Sequence, residues 1–281
     1  MSLAFLKMHG AANDFVVIDR RSGQPLDPPE LLVPRLCDRR RGIGADGVLL
    51  LERDPELDFS MLYYNSDGKP AEFCGNGARC LARLALDLGL GRGGEVRFRT
   101  AVGVKSARRS ADGRGIELSF GAVEAPAEAV ELEAAGRTFR GRLIRAGVPH
   151  FVVEVERVEW VPVAEWGSAL RHHPRFAPAG ANVDFVSHLG PGRVAMRTYE
   201  RGVEAETLAC GSGAIASALW AAVRGDASPV DILTAGGDEL TVRWRNVAQG
   251  YDVTLIGPAE VAFSGTWPDV VPAPVLKGRG A

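Results

Sequence analysis

Two segments of this 281-residue chain carry the same unusual device. Residues 72–82 read EFCGNGARCLA and residues 209–218 read ACGSGAIASA. Cys74, Gly75, Gly77 and Ala78 thus return as Cys210, Gly211, Gly213 and Ala214, 136 positions later. The same offset relates Phe15-Val16-Val17 to Phe151-Val152-Val153, and Gly44-Ala45-Asp46 to Gly180-Ala181-Asn182. Three anchors at one spacing indicate an internal duplication, and a period near half the chain is too long for a solenoid. The chain therefore has to fold as two similar halves, each presenting one cysteine.

Each cysteine stands where a loop turns into a helix. Ala78, Leu81, Ala82, Ala85 and Leu88 recur at steps of three or four, and Gly89 is a natural stop. The paired glycines let the backbone turn tightly and let a ligand approach. A helix start offers unpaired N–H groups and the positive end of the dipole. That setting is expected to lower a thiol's pKa and activate it. A single cysteine of this kind reads as a packing residue, since free cysteine is commonly buried; Cys37 and Cys80 are assigned to packing.

The remaining pattern is many short strands. In the first half they fall at residues 4–8, 15–19, 48–51, 59–64, 96–100, 102–105 and 116–120, with a Pro-rich loop running into a short helix near residue 34. Residues 121–129 are the best linker. The second half repeats the order, with strands at 143–145, 151–155, 183–186, 194–199, 230–233, 240–244 and 251–256. Its helices fall at 165–172 and 211–223, and GVPH (147–150) reads as a turn. The expected fold class is α+β, two pseudo-symmetric domains, each a curved, mostly antiparallel sheet around a central helix. A net charge of −2 and a pI near 6.2 give no basic bias, so nucleic acid is not an expected partner. No apolar run is long enough to span a bilayer, and no signal peptide is evident. Four cysteines without a CxxC pair make neither a disulfide scaffold nor a zinc site. A reducing, cytoplasmic setting follows as the default.

Two opposed thiols suit removal of a proton from one face of a carbon acid and its return on the other. That is the chemistry of a racemase or epimerase. Helix-start amides at Gly75, Asn76, Gly211 and Ser212 would hold a substrate carboxylate and the charge that develops. The rival reading is a thiol redox switch in which Cys74 and Cys210 form a reversible disulfide; it leaves the anion-binding loops without a purpose.

KMHGAANDF (7–15), RGIGADG (41–47), NSDGKPAEFCGNGARC (65–80), GVPH (147–150), GANVDFV (180–186) and YERGVEAETLACGSGA (199–214) resemble the signature blocks of the diaminopimelate epimerase family, in the family's order. The resemblance spans nearly the whole chain. It implies an enzyme without cofactor or metal that interconverts LL- and meso-diaminopimelate, in lysine and cell-wall precursor biosynthesis. It implies Cys74 and Cys210 as the catalytic thiols, with His150 and Glu200 as the polar pair beside them. Substrate contacts are implied at Asn13, Asn65, Gly75, Asn76, Asn182, Glu200, Arg201, Gly211 and Ser212. Alone, the three asparagines read as turn residues and Glu200-Arg201 as a surface ion pair. The family further implies a small-molecule amino-acid substrate, a homodimer, and a C-terminal segment that returns to the first domain. The expected domains are 1–122 with about 265–276, and 123–264. One departure is Val148, where many members have Asn before the Pro-His. Val cannot hydrogen-bond the far end of a substrate, which leaves a racemase of another amino acid open. Arg201 and Asn65 favour a distal carboxylate, which a guanidinium fork suits.

Overall fold

Apart from added strands at Ala129–Ala134 and Ala205–Thr207 and a returning one at Glu260–Trp267, strands and helices follow the same order in both halves of the computed structural model, which describes residues 2–24 and 26–268. The first half contains β1 (Leu3–Gly10), β2 (Asn13–Asp19), α1 (Pro29–Cys37), β3 (Gly47–Glu52), β4 (Phe59–Asn65), α2 (Gly75–Asp87), β5 (Glu95–Thr100), β6 (Gly103–Arg109) and β7 (Ile116–Val123). The second contains β8 (Ala129–Ala134), β9 (Arg137–Ala146), β10 (Val148–Glu154), α3 (Val163–Arg171), β11 (Asn182–Gly190), β12 (Arg193–Glu200) and β13 (Ala205–Thr207). It continues through α4 (Gly211–Val223), β14 (Val230–Leu233), β15 (Glu239–Val247), β16 (Gly250–Gly257) and β17 (Glu260–Trp267).

The duplication is written into the strand register. β2 runs parallel to β3 with Phe15 opposite Gly47, and β10 runs parallel to β11 with Phe151 opposite Val183. Both partners have moved by 136. The next pairing slips by two residues: Gly47 faces Asn65 in the first half, whereas Val183 faces Tyr199, the counterpart of Tyr63, in the second. The halves join where β7 pairs antiparallel with β16. After β16 the chain crosses back, and β17 pairs antiparallel with β1, Leu3 opposite Trp267. The part of the expected returning segment beyond residue 268 lies outside the described residues.

Each half wraps its sheet around a central helix. α2 packs with Phe15, Leu49, Phe59, Phe98 and Leu118. Its counterpart α4 packs with Val152, Val186, Ile232, Leu240 and Leu255. α4 is apolar nearly all round and buried nearly all round, as a helix inside a sheet has to be. Ile215 and Leu219 are fully buried and contribute about 1.5–3 kcal/mol each. Smaller cores form on the outer faces under α1 and α3. Gly89 takes a φ of +72° directly after Leu88, the C-cap of α2, the left-handed stop its position predicts.

Some local expectations change. GVPH is not a turn: the chain reverses at Gly147, and Val148 pairs directly opposite Ala146 at the start of β10. β8 and β13 are not anticipated: β8 does carry period-two alternation, Val130, Leu132 and Ala134 packing inward between Glu131 and Glu133, but it adjoins the stretch that reads as a linker, and β13 is only three residues long. β7 runs to Val123, leaving only residues 124–128 between it and β8. Among the described residues no helix is long and apolar enough to cross a membrane.

Candidate active site

Cys74 and Cys210 are the N-cap residues of α2 and α4, both in extended conformation, with φ of −136° and −117°. The first helical bonds are Ala78 N–H to Cys74 O at 2.8 Å and Ala214 N–H to Cys210 O at 2.9 Å. The N–H groups of Gly75, Asn76, Gly211 and Ser212 are therefore first-turn donors without a helical acceptor. The two helix starts abut. A Cβ placed on Gly211 would stand 3.4 Å from Asn76 Oδ1 and 4.0 Å from Gly75 Cα, and Leu255 of β16 underlies both glycines.

In the second half a polar chain reaches Cys210. Parallel pairing of β10 and β11 sets His150 opposite Asn182. His150 Nδ1 lies 2.7 Å from Asp184 Oδ2, and both side chains are fully buried. Thr198 donates to the other Asp184 oxygen at 2.7 Å. With Nδ1–H donated to the carboxylate, His150 Nε2 is left to accept from Ser212 Oγ at 2.9 Å and from Asn182 Nδ2 at 3.3 Å. Ser212 Oγ lies 3.5 Å from Cys210 Sγ. Asn182 Oδ1 accepts from the Arg201 N–H at 2.7 Å, which fixes its amide. Gly213 allows this assembly, since a Cβ there would stand 2.5 Å from Asp184 Oδ1.

The first half holds its thiol differently. Asn76 Nδ2 donates to Asn13 Oδ1 at 3.2 Å and to the Ala209 carbonyl at 3.3 Å. Cys74 Sγ donates to the same Asn13 oxygen at 3.5 Å. Asn13 Nδ2 is held by Asp46 at 2.7 Å. Arg39 bonds both Asp14 and Asp46, and Lys7 bonds Asp14 and the Gly44 carbonyl. These cations hold the Asp14 carboxyl at about 2 despite the opposing effect of burial. Asn13 follows a two-residue turn in which Ala11 and Ala12 take φ of +55° and +63°.

Burial decides the thiols. It pushes Cys74 up to about 11; the Gly77 and Asn76 N–H groups and Arg79 oppose it, while the Glu200 charge adds to it. Burial also raises Cys210 well above the usual thiol range, helped by Glu200 and Asp184 against the pull of Ser212 and Gly213. The expected lowering by a helix start is thus overturned: desolvation outweighs the dipole, and both thiols are protonated at neutral pH. Glu200 is itself raised, mainly by burial. Tyr63 is raised by burial and by the Cys74 and Glu200 charges. All four cysteines are free, with Cys37 and Cys80 buried in the cores.

Direct contacts link Cys74, Asn76 and Asn13 on one side and Cys210, Ser212, His150 and Asn182 on the other. Glu200 ends β12 within electrostatic reach of both thiols. Arg201 follows it, half-buried, and its guanidinium has no ion-pair partner among the described residues. Asn65 ends β4, exposed, opposite Gly47, without a side-chain bond to this group. Sequence reasoning missed Asp184, Asp14, Asp46, Tyr63 and Arg79 as neighbours of the site. Two of them carried a signal: the 136-residue offset maps Asp14 onto His150 and Asp46 onto Asn182. Asp184 had another, a carboxylate inside the apolar run Val183–Val186. Among the described residues no group of three or more His, Cys, Asp or Glu could hold a metal ion.

A family model described as diaminopimelate epimerase matches the chain twice, over residues 5–125 and 142–261. The chain belongs to the diaminopimelate epimerase family. It is an isomerase. It is 40% identical over 275 residues to the diaminopimelate epimerase of Aquifex aeolicus, covering 94% of this chain and 97% of that protein. Its fold is similar to a Bacillus anthracis phenazine biosynthesis protein of the PhzF family, with a TM-score of 0.72 at 12% identity over 96% of this chain and 100% of that one. It also resembles a hydroxyproline epimerase from Agrobacterium vitis, with a TM-score of 0.68 at 20% identity over 95% and 92% of the two chains. The doubled match agrees with the pseudo-symmetry of the fold.

Proposed function

We propose that the chain interconverts LL- and meso-2,6-diaminopimelate by a two-base mechanism, as a step of amino-acid biosynthesis. The observation that carries this reading is the abutment of two helix starts, each capped by a cysteine. A substrate carboxylate is held by the first-turn N–H groups of Gly75, Asn76, Gly211 and Ser212, where the dipoles of both helices favour negative charge. The α-carbon then lies between the two sulfurs. Arg201 takes the distal carboxylate, with Asn13, Asn65, Asn182 and Glu200 as further polar contacts.

The resting thiols have to be activated when substrate arrives. Its α-ammonium group brings a positive charge beside the sulfurs, which favours a thiolate. For Cys210 a proton path exists: through Ser212 Oγ to His150 Nε2, with Asp184 stabilising the imidazolium. The thiolate takes the α-proton on one face, and the carbanionic charge is held by the helix-start amides. The Cys74 thiol delivers its own proton to the other face. One S–H bond forms and one breaks, and the pair exchanges states. The opposite stereoisomer reacts with the roles reversed, and solvent resets the protons between turnovers.

The homodimer is part of this proposal. Among the described residues β17 pairs with β1 on one side only and exposes Val261 and Phe263, a sheet edge that calls for cover; light scattering reads the state directly. The division into residues 1–122 with a returning C-terminal strand, and 123–264, is likewise proposed, with the β7–β16 pairing as the junction.

The test is turnover in deuterated water. LL-diaminopimelate should give meso product carrying deuterium at one α-carbon, while unreacted substrate stays protiated early in the reaction, because different sulfurs take and give the proton. Early deuterium in the remaining LL substrate would mean one base serves both faces. No turnover of either isomer, with turnover of another amino acid, would move the substrate assignment.

A further inference from the structure

We propose that Arg79 is a positioning residue that locks the two thiol loops against each other through Asn76. This rests on the two-thiol reading above. Arg79 is fully buried on α2. Its Nη2 donates to Asn76 Oδ1 at 2.9 Å and its Nε to the Pro258 carbonyl at 3.3 Å. Asn76 is left with its amino group facing Asn13 Oδ1 and Ala209 O. Asn13 Oδ1 also accepts from the Cys74 thiol, and Ala209 precedes Cys210. One guanidinium therefore fixes the orientation of one amide, and that amide spans both cysteine loops. Pro258 lies where the chain leaves β16 and returns toward the first half as β17, so the same fork also grips the crossover between halves.

Three observations separate this from ordinary packing. A buried guanidinium is costly to desolvate, and among the described residues no carboxylate lies within salt-bridge distance to offset it. Its Nη1 is buried with no hydrogen-bond partner among the described residues, so the site is built around the other two nitrogens. The duplicated position, 136 residues on, is Ile215, fully buried in the second core. An apolar residue suffices there for packing. In that half the loop residue is Ser212, held from the side by His150 instead. The halves thus anchor equivalent loops by different chains, and only the first reaches across. Asn76 without Arg79 could turn its amide over, presenting an oxygen to Asn13 Oδ1 and Ala209 O and repelling both loops. Lys cannot replace the fork, since a single ammonium does not reproduce its planar spread of donors.

Four proteins test this: the unaltered chain, Arg79→Lys, Asn76→Ala and the double variant. Each is read by melting temperature, by kcat and KM with LL- and meso-diaminopimelate, and by the pH profile of iodoacetamide alkylation at Cys74 and Cys210 in the empty protein. Expected for Arg79→Lys is a folded protein with kcat lowered about ten- to hundredfold, as small misplacements at a reacting centre do, KM within a few-fold, and a displaced Cys74 alkylation profile. In the Asn76→Ala background the same substitution should change kcat less than twofold and leave both profiles in place. Additive effects of the two substitutions, or a lowered melting temperature with normal kcat and normal profiles, would overturn the proposal. So would an Arg79→Lys protein that does not fold, which would make Arg79 a requirement of the fold rather than of the site. If the unaltered chain turns over neither isomer, the substrate reading fails instead, and the alkylation cycle still decides the role of Arg79.

Discussion

Asn76, in the first turn of α2, hands its side-chain amide to the main-chain carbonyl of Ala209, 133 positions away and one residue before Cys210. This contact crosses the pseudo-symmetry and belongs to neither half alone. It makes the relative placement of the two sulfurs depend on one amide.

Asn76→Asp keeps the size of the side chain and the acceptor that faces Arg79. It replaces the donor by a second acceptor against Asn13 Oδ1 and Ala209 O. Losing buried donors in this way costs about 1–3 kcal/mol. Urea unfolding should show that loss, with epimerisation lowered at least about tenfold; an unchanged midpoint and rate would show that the amide is free to reorganise.

Asp184→Asn leaves one oxygen, which the Thr198 hydroxyl holds, and turns the amide NH2 toward His150 Nδ1 in place of an acceptor. The amide then favours the other imidazole tautomer, in which Nε2 carries the proton and can no longer accept from Ser212. We expect kcat to fall roughly 10²-fold or more while KM changes little, the pattern of a misassigned general-base tautomer. A KM effect with normal kcat would place His150 in binding instead.

The thiols should be slow in the empty protein. With Cys74 near 11, iodoacetamide at pH 8 should modify it about a hundredfold more slowly than an unperturbed thiol, because the thiolate is the nucleophile. The same shift predicts alkaline instability. The folded thiol binds its proton more tightly than the unfolded one, so its contribution is complete below about pH 9 and is lost as pH rises through about 11. Urea midpoints between pH 8 and 11 should fall, and less steeply in Cys74→Ala. Rapid alkylation at pH 7 would contradict both expectations.

Arg201→Met should raise KM for diaminopimelate steeply with a smaller effect on kcat, since the lost partner is a carboxylate remote from the reacting carbon. Loss of a charge-assisted bond in a desolvated site corresponds to a few kcal/mol. A near-normal KM would put the distal carboxylate elsewhere.

Ala12→Gly tests the turn that presents Asn13. Ala12 sits at φ +63°, where an L side chain is strained by about 1–2 kcal/mol. Glycine should raise stability by up to about 1 kcal/mol after its own entropic cost, seen as a higher urea midpoint. A drop would mean that the Ala12 methyl group contributes more by packing than it costs in strain.

The sequence by itself determined the duplication, the two capped helices and most strands. α4 begins and ends where the repeat places it, and Gly89 stops α2, because helix caps and apolar periodicity are set by neighbours a few residues apart. It also marked both cysteines, since their loops are short and repeated. Tertiary structure decided what those cysteines are chemically. The helix start is a local property and argues for a low thiol pKa; burial and the Glu200 charge come from distant segments and reverse the sign. Tertiary structure likewise decided that Asp184 serves His150 and that Arg79 serves Asn76. A polar side chain in a buried segment signals only that it needs a partner. Which partner it finds depends on strand register and on the abutment of two helices whose starts lie 136 residues apart.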